Sequence, residues 1–264
     1  MDRAILSALT ASVASARPDL VVVSGDLTQR ARREEFKDAS TFLDGLPMPR
    51  LVVPGNHDVP LYNVFARALR PLARYKRYIS DDLEPCYADD EIAVVGVNTA
   101  RSLTFKGGRI NREQADRSCA RLAKSGPAVT RIIVTHHPFD APDVDRSHGL
   151  LGRARMAMAK FAEHGIDLIL SGHLHISRIS ESAARYEVFG HSLLLIQAGT
   201  AASMRRRGEV NSYNIIRIDR PRLSIEYLNW NNDRGAFIVA EIVEFRHSPD
   251  GWLQTVDKRT AGGL

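Results

Sequence analysis

Polar side chains that can bind a metal or carry a proton stand at the ends of four apolar segments. They are Asp26 after "LVVVSG", Asn56, His57 and Asp58 after "LVVPG", His136 and His137 after "IIVT", and His173 and His175 in "LILSGHLH". A buried group of this kind is unfavourable unless metal ions or hydrogen bonds satisfy it. Carboxylate, amide and imidazole ligands without a thiolate suit Mn, Fe, Co, Zn or Ni rather than a structural cysteine-zinc site. We therefore expect a transition-metal site.

The spacing within these motifs also favours metal binding. His173 and His175 are two residues apart, so on an extended segment both imidazoles leave the backbone on the same side. Gly25, Gly55 and Gly172 precede these ligands, and a residue without Cβ lets the backbone turn tightly beside an ion. Each motif alone is compatible with an ordinary turn or a surface pair. The ordered series of four predicts a shared site.

The segments that must position these side chains alternate between strand and helix patterns. Strands are predicted in "DLVVVSGD", "RLVVPG", "EIAVVGVN", "RIIVTHH" and "IDLILSGH", and helices over residues 2–16, 33–45, 111–124 and 151–164. These strands are apolar throughout, which is typical of strands buried on both faces of an α/β fold. Ligands of α/β sheets bind at the carboxyl ends of the strands, so we expect the polar groups to meet in one crevice.

The pattern changes after residue 185, where strands follow one another without helices. They are predicted at about 191–197, 211–218, 222–229 and 236–245, and we expect a meander-like antiparallel sheet. No linker or repeat interrupts the chain, which predicts a single domain over residues 1–264 with a β-rich part from about 185 to 264. This part could supply the surface of a homodimer.

The composition, 44% hydrophobic and 25% charged over 264 residues, is that of an ordinary globular protein. No apolar run approaches the roughly 18 residues that span a bilayer. The N-terminus also lacks the pattern of a signal peptide. We expect a cytoplasmic protein without a membrane partner. Cys86 and Cys119 have neither metal-type spacing nor a disulfide framework.

The net charge of +5 comes from arginines spread along the chain, with one dense cluster in "MRRRGE". No aromatic and basic platform accompanies that cluster, so nucleic acid is an unlikely partner. Arg205, Arg206 and Arg207 could hold a substrate phosphate, because arginine suits bidentate anion recognition. The alternative is a solvated charge run.

The series GD, GNHD, HH and GHxH, with "QAGTAASMRRRGEVNSYNII" further on, resembles the calcineurin-like metallophosphoesterase superfamily. Within it, the motifs are most similar to the bacterial class III cyclic-nucleotide-phosphodiesterase-like branch. The resemblance covers roughly residues 18 to 217. It implies an α/β fold in four layers, an α-β-β-α sandwich, with a two-metal centre at the strand ends.

The resemblance also implies roles for individual residues. Asp26 would bridge two metals such as Mn, Fe, Zn or Co; Asn56, His136 and His173 would complete one site, and His175 would belong to the other. His57 would act beside the leaving group, oriented by Asp58. Apart from the resemblance, His137 stands next to a proposed ligand and could contact substrate or support the ligands; the alternative is a neighbouring residue without a role. Two cations about 3.5–4 Å apart can polarise a phosphoryl group and stabilise both apical oxygens. The expected activity is metal-dependent hydrolysis of phosphoester bonds, as a phosphodiesterase on a small nucleotide or similar phosphodiester.

One motif of the superfamily, Asp-x-His at the end of its first strand, has no counterpart in this sequence, and the first strand of the fold is expected to be missing as well. Asp2 and Asp19 are the acids upstream of "GDLTQ", and neither stands in such a motif. Two explanations are open: a truncated start, or a protein that lacks the second metal site. Weak occupancy of the second site and poor activity are expected of this polypeptide. The alternative function is that of a catalytically impaired homologue with a single metal.

Overall fold

The computed structural model describes residues 3–102, 104, 107–140, 150–174, 177–181, 192–202, 210–249 and 251–260. Its helices are α1 (Arg3–Ala16), α2 (Arg33–Asp44), α3 (Val64–Leu69), α4 (Ala73–Tyr78), α5 (Arg112–Leu122) and α6 (Ala154–Glu163). Its strands are β1 (Val21–Val23), β2 (Arg50–Val52), β3 (Cys86–Ala88), β4 (Ile92–Val97), β5 (Thr130–Thr135), β6 (Leu168–Ser171), β7 (Arg178–Glu181), β8 (Leu194–Gln197), β9 (Ser212–Asp219), β10 (Arg222–Asn231), β11 (Ala236–Ser248) and β12 (Gly251–Thr260).

A six-stranded sheet in the order β3-β4-β5-β6-β8-β7 forms one inner layer. Its four central strands are parallel, and β3 and β7 pair antiparallel at its two edges. Helices α5 and α6 cover the outer face, where Leu122, Met158 and Phe161 pack against Val95 and Ile133. The central strands are therefore buried on both faces, as their continuous apolar sequence predicts.

The second inner layer consists of two separate sheets. The parallel pair β1-β2 forms one, and the antiparallel meander β9-β10-β11-β12 forms the other. Leu51 of β2, with Ile225 and Phe245 of the meander, packs on Val94 and Ile132 of the six-stranded sheet. The two sheets of this layer thus share one core with the opposite layer.

Helices α1 and α2 form the fourth layer. Ile5 and Leu9 of α1 pack on Leu228 and Phe237, which lie on the outer side of the meander. Leu43 of α2 lies in a cluster with Val21, Val23 and Val52 of the β1-β2 pair. The order of layers is therefore α-β-β-α, and the predicted fold class is confirmed.

Local sequence signals account for several helix ends. At α5 the Asn111 side chain accepts a hydrogen bond from the Gln114 N–H at 2.7 Å, and the Gln114 side chain accepts one from the Asn111 N–H at 3.2 Å. This reciprocal pair is the predicted capping box. Helix α6 ends before Gly165, whose φ of 61° lies in the left-handed region that glycine adopts without strain.

The structure corrects one feature of the predicted C-terminal part. The strand predicted at about 191–197 was expected to join the antiparallel meander, but β8 lies in the six-stranded sheet, parallel to β6. The meander begins at Ser212 instead and includes β12, which the sequence did not predict. The other strands and the four predicted helices are found within a few residues of their expected positions.

Among the described residues, no helix is both long enough and apolar enough to cross a lipid bilayer.

Candidate metal centre

Four strand ends bring the predicted ligands to one place. Asp26 follows β1, Asn56 follows β2, His136 follows β5 and His173 follows β6. Because β1 is parallel to β2 and β5 is parallel to β6, the carboxyl ends of both pairs meet where the two inner layers touch. Two ligands come from each layer.

His136 lies at the centre of this cluster and is almost fully buried. Its Nε2 is 3.0 Å from Asn56 Oδ1, 3.1 Å from His173 Nδ1 and 3.3 Å from Asp26 Oδ1. Asp26 Oδ1 also accepts a hydrogen bond from the backbone N–H of His57 at 2.9 Å. Three potential ligand atoms therefore surround a single ring nitrogen.

The other ring nitrogen of His136 decides what this arrangement can bind. Nδ1 lies 2.7 Å from the Ser24 carbonyl oxygen, and because a carbonyl can only accept, Nδ1 carries the hydrogen. In the neutral ring, Nε2 then carries a lone pair, which faces Asn56 Oδ1, His173 Nδ1 and Asp26 Oδ1. A divalent cation satisfies them together, and metal-binding histidines commonly donate their second N–H to a backbone carbonyl. The donor set of this site fits a metal ion.

The charges of the buried groups favour a cation as well. Burial alone would raise the pKa of the Asp26 carboxyl, but the charge of His136 and its hydrogen bond outweigh burial and hold that pKa well below its usual range. Burial alone would lower the pKa of His136, and the charge of Asp26 raises it above the ordinary value. Asp26 therefore stays ionised and presents a buried negative charge to the cluster.

The backbone around the ligands is tightly constrained. Asp26 and His173 have φ angles of 56° and 73°, a left-handed conformation that costs a non-glycine residue about 1–2 kcal/mol. A Cβ on Gly55 would collide with the carboxylate of Asp26, and one on Gly25 would lie 2.8 Å from His136 Nδ1. Such strain is typical of functional sites, where the surrounding structure holds it in place.

His57 stands in the short 3-10 helix Asn56–Asp58, beside the ligands. Its Nδ1 donates a hydrogen bond to the carbonyl of Gln29 at 2.9 Å. The ring lines the same cavity as Asp26, His136 and His173. Because Nδ1 is occupied, Nε2 is the atom that can exchange a proton in the cavity.

Asp58 differs from the role that the resemblance implies, because its carboxylate contacts backbone rather than the His57 ring. It accepts hydrogen bonds from the N–H groups of Gly55 at 2.9 Å, Thr28 at 2.9 Å and Leu27 at 3.3 Å. Burial first, and then the negative charge of Asp26, raise the pKa of Asp58 to about 6. Asp58 ties the loop after β1 to the loop after β2, and the Gln29 carbonyl holds His57.

His137, which was expected to contact substrate, is fully buried. Its Nδ1 lies 2.8 Å from Thr99 Oγ1, and a Cβ on Gly108 would collide with its ring. Ligand atoms of His136, His137 and His173 lie within 4.8 Å of one another. The second histidine of "THH" therefore belongs to the imidazole cluster itself.

Some predicted site residues cannot be compared with the structure. His175, Arg205, Arg206 and Arg207 lie outside the described residues. The described residues that converge, Asp26, Asn56, His136 and His173, are therefore those that the resemblance assigns to one of the two metals.

The sequence did not point to several groups that orient the ligands. The backbone carbonyls of Ser24 and Gln29 accept hydrogen bonds from His136 and His57. Because every residue has a backbone carbonyl, the residue type at these positions cannot predict such a role. Thr28 and Thr99 contact Asp58 and His137 through their hydroxyls. Only their position just after apolar strands could have drawn attention to them.

Comparisons with known proteins agree with this geometry. The family model for the calcineurin-like phosphoesterase matches residues 2–177. A glycerophosphodiester phosphodiesterase of Enterobacter lignolyticus is 35% identical over 125 residues, which are 47% of this chain and 43% of the relative. A probable cyclic nucleotide phosphodiesterase of Synechococcus is 23% identical over 160 residues, 60% of this chain and 58% of the relative. The chain thus spans about half the length of the curated relatives it matches.

Solved structures show the same fold. PhoD superposes with a TM-score of 0.66 at 11% identity, covering 97% of this chain and 70% of that one. A dimetal phosphatase from Danio rerio superposes with a TM-score of 0.61 at 14% identity, covering 85% of this chain and 86% of the phosphatase chain. At these identities the likeness concerns the fold.

Proposed function

The chain belongs to the calcineurin-like phosphoesterase family, and from this premise we propose that it is a metal-dependent phosphodiesterase for a small phosphodiester. The observation that carries the proposal is the convergence of Asn56, His173 and Asp26 on His136 Nε2, within 3.0–3.3 Å. When the His136 ring is neutral, with its hydrogen on Nδ1 and bonded to the Ser24 carbonyl, Nε2 has no hydrogen to donate to these neighbours. Here the atoms that converge are those that bind a cation.

Asp26, Asn56, His136 and His173 would hold the metal, with His175 and Asp26 contributing to a second one. When bound, a divalent cation supplies Lewis-acid polarisation of the phosphoryl group. Mn, Fe, Zn and Co all suit this mixed nitrogen and oxygen set. The ionised Asp26 would offset the charge of the cation, and the hydrogen bond between His136 Nδ1 and the Ser24 carbonyl leaves Nε2 available as a ligand atom.

His57 is the proposed proton donor to the leaving oxygen. The Gln29 carbonyl fixes the ring through Nδ1, so in the protonated ring the remaining N–H, at Nε2, is available to the cavity. A side chain placed in this way contributes typically 10²–10⁴-fold to the rate. Asp58 supports this step indirectly, by holding the loop that carries His57 against Thr28.

The substrate class is inferred from the relatives and from charge. Two relatives are a glycerophosphodiester phosphodiesterase and a probable cyclic nucleotide phosphodiesterase. Both are named for small phosphodiester substrates, and a net charge of +5 on this chain attracts such anions. Arg205, Arg206 and Arg207 are proposed to contact the phosphate. The single domain, the cytoplasmic location and the homodimer stay predictions from the sequence.

The test is hydrolysis of bis(p-nitrophenyl) phosphate by the metal-stripped chain, with and without added Mn²⁺. We expect turnover only with metal. We expect Asn56→Ala and His173→Asn to lower it by at least about 10–100-fold, the loss typical of a damaged metal site. Asparagine is chosen at His173 because it tolerates the left-handed backbone there.

His164→Ala is the matched control, because this histidine is exposed at the end of α6 and its ring nitrogen Nδ1 lies 2.8 Å from the Lys160 carbonyl oxygen, on a helix whose residues are not among the proposed ligands. Its activity should equal that of the unchanged chain. Full hydrolysis in both Asn56→Ala and His173→Asn, with His164→Ala also active, would contradict the proposed site.

A further inference from the structure

Helix α3 and the residues just before it turn apolar side chains toward solvent. Seven large hydrophobic residues are exposed in the described part of the chain, and four of them lie in the stretch 62–69: Tyr62, Val64, Phe65 and Leu69. Their exposed fractions are 71%, 71%, 82% and 78%. Single exposed hydrophobic residues are ordinary, whereas a cluster of them marks an interaction surface. These four residues are called the α3 patch below.

The inner side of α3 is occupied by an arginine. Arg67 is buried, and its guanidinium donates hydrogen bonds to three backbone carbonyls, those of Pro60, Ser102 and Thr104. Because an α-helix turns about 100° per residue, Phe65 and Leu69 lie on the side opposite to Arg67. An ordinary surface helix has the reverse arrangement, with its apolar stripe toward the core. The anchored arginine therefore fixes the outward direction of the apolar side chains.

The segment that contains the α3 patch is strongly basic. Residues 59–80 include five basic residues and no acidic residue. The other 31 basic residues of the chain equal its 31 acidic residues in number, so the charge of this segment matches the net charge of +5. The exposed apolar surface therefore coincides with the part of the sequence that is richest in uncompensated positive charge.

Contacts place three exposed arginines beside the α3 patch. The Arg30 guanidinium lies over the Tyr62 ring, 5.8 Å from the ring centroid. Arg74 donates a hydrogen bond at 2.6 Å to the carbonyl of Ala31, the residue after Arg30, and Arg70 is the C-cap residue of α3. All three arginines are exposed. Arg30, Arg70 and Arg74 are called the basic rim below.

The combination of apolar and basic side chains favours an anionic lipid surface over other occupants. A second copy of the chain would bring the basic rim against itself, because a symmetric dimer uses the same patch on both subunits, and opposed like charges disfavour such an interface. The patch protrudes from a helix of six residues, and in a protein partner a protruding side chain requires a shaped pocket. The fluid interface of a bilayer requires none, and its anionic lipids attract arginines.

We propose that the α3 patch and the basic rim bind the surface of an anionic phospholipid bilayer. Phe65 and Leu69 enter the boundary between headgroups and acyl chains, and Tyr62 lies at the level of the headgroups. The basic rim contacts the anionic headgroups. The expectation of no membrane partner rested on the lack of an apolar run that spans a bilayer, and four exposed side chains beside a short helix form no such run.

The α3 patch adjoins the loop that carries His57. The 3-10 helix Asn56–Asp58 precedes α3 directly in the order of elements. The Gln29 carbonyl that accepts a hydrogen bond from His57 belongs to the residue before Arg30 of the basic rim. Docking through this surface therefore brings the bilayer close to the metal centre.

The test is co-sedimentation of the full chain with vesicles in a chelating buffer. One vesicle contains equal parts of phosphatidylserine and phosphatidylcholine, and the other contains phosphatidylcholine alone. Each arginine near an anionic surface strengthens binding about fivefold, so we expect about 100-fold tighter binding to the anionic vesicle from three arginines. High salt should remove this preference by screening, and so should replacement of the three rim arginines by glutamine.

A second pair of variants examines the apolar part of the surface. Phe65→Gln combined with Leu69→Gln should weaken binding to anionic vesicles at least about tenfold. Leu253→Gln is the matched control, because this leucine is 54% exposed on β12, outside the patch, and it should bind like the unchanged chain. Both variants should keep the melting temperature of the unchanged chain, because the replaced side chains are exposed.

Three outcomes would overturn the proposal. The first is no sedimentation of the unchanged chain with anionic vesicles, and the second is equal binding by the Phe65→Gln, Leu69→Gln chain and the Leu253→Gln chain. The third is a dimer in analytical ultracentrifugation that Phe65→Gln converts to a monomer, which would assign the patch to a second copy. Metal-dependent hydrolysis is measured on a soluble diester without vesicles, so the proposed function succeeds or fails separately.

Discussion

Gly25→Ala is the substitution that examines the metal centre most directly. A Cβ at this position would lie 2.7 Å from Gly55 N and 2.8 Å from His136 Nδ1, against an ordinary contact of at least 3.4 Å. The shortfall is 0.7 Å for the backbone nitrogen and 0.6 Å for the ring. His136 must therefore rotate or shift, and its 2.7 Å hydrogen bond to the Ser24 carbonyl is lost.

The expected magnitudes follow from two separate effects. Overpacking costs about 1–3 kcal/mol of unfolding free energy, and the φ of 89° at Gly25 adds about 1 kcal/mol for a residue with Cβ. Loss of the partner that orients a metal-binding histidine lowers metal affinity about 10–100-fold. We thus expect a stability loss of about 2–4 kcal/mol together with a metal affinity lower by one to two powers of ten.

The assay is isothermal titration calorimetry with Mn²⁺, combined with urea unfolding in the presence of a chelator. Gly235→Ala is the matched control, because its φ is 58° and a Cβ there meets nothing within 4 Å. It should lose about 1 kcal/mol from backbone strain alone and keep its metal affinity. The steric reasoning is refuted if Gly25→Ala binds Mn²⁺ as tightly as Gly235→Ala and is equally stable.

Three further predictions concern the rest of the molecule. Burial raises the pKa of the Cys119 thiol to about 11, so a thiol reagent at pH 8 should label only the exposed Cys86 in the native chain and both cysteines after denaturation. Rapid labelling of both cysteines in the native chain would contradict the buried position of Cys119. Arg67→Met removes the guanidinium that donates hydrogen bonds to the carbonyls of Pro60, Ser102 and Thr104. It should lower the free energy of unfolding in urea by about 3 kcal/mol, whereas the control Arg70→Met, at an exposed position, should lower it by at most about 0.5 kcal/mol. Mn²⁺ at a thousand times its dissociation constant should add about 4 kcal/mol to the unfolding free energy, and an unchanged melting temperature in calorimetry would indicate that the folded chain binds no metal.

Local signals made part of this structure predictable. The capping box of α5 depends on two side chains three residues apart, so the sequence contains all of it. The central strands of the six-stranded sheet were found from continuous apolar runs, because burial on both faces leaves no room for alternation. The same runs placed Asp26 and Asn56 at strand ends, which is where the structure has them.

Non-local pairing explains what the sequence did not reveal. Strand β8 lies after the last helix, next to the strands of the meander in the sequence, and only its pairing with β6 assigns it to the other sheet. β3 and β7 are edge strands of three and four residues, too short to show a clear strand pattern in the sequence. In the site, the contact of His57 with the Gln29 carbonyl rather than with Asp58 depends on loop geometry, and residue types say nothing about it.

The position of the metal centre joins the two inner layers of the fold. Asp26 and Asn56 come from the β1-β2 layer, and His136 and His173 come from the six-stranded sheet, so a bound cation would connect the two layers. Linkage is reciprocal, so an ion that binds only when all four side chains are in place also stabilises the packing of one layer on the other.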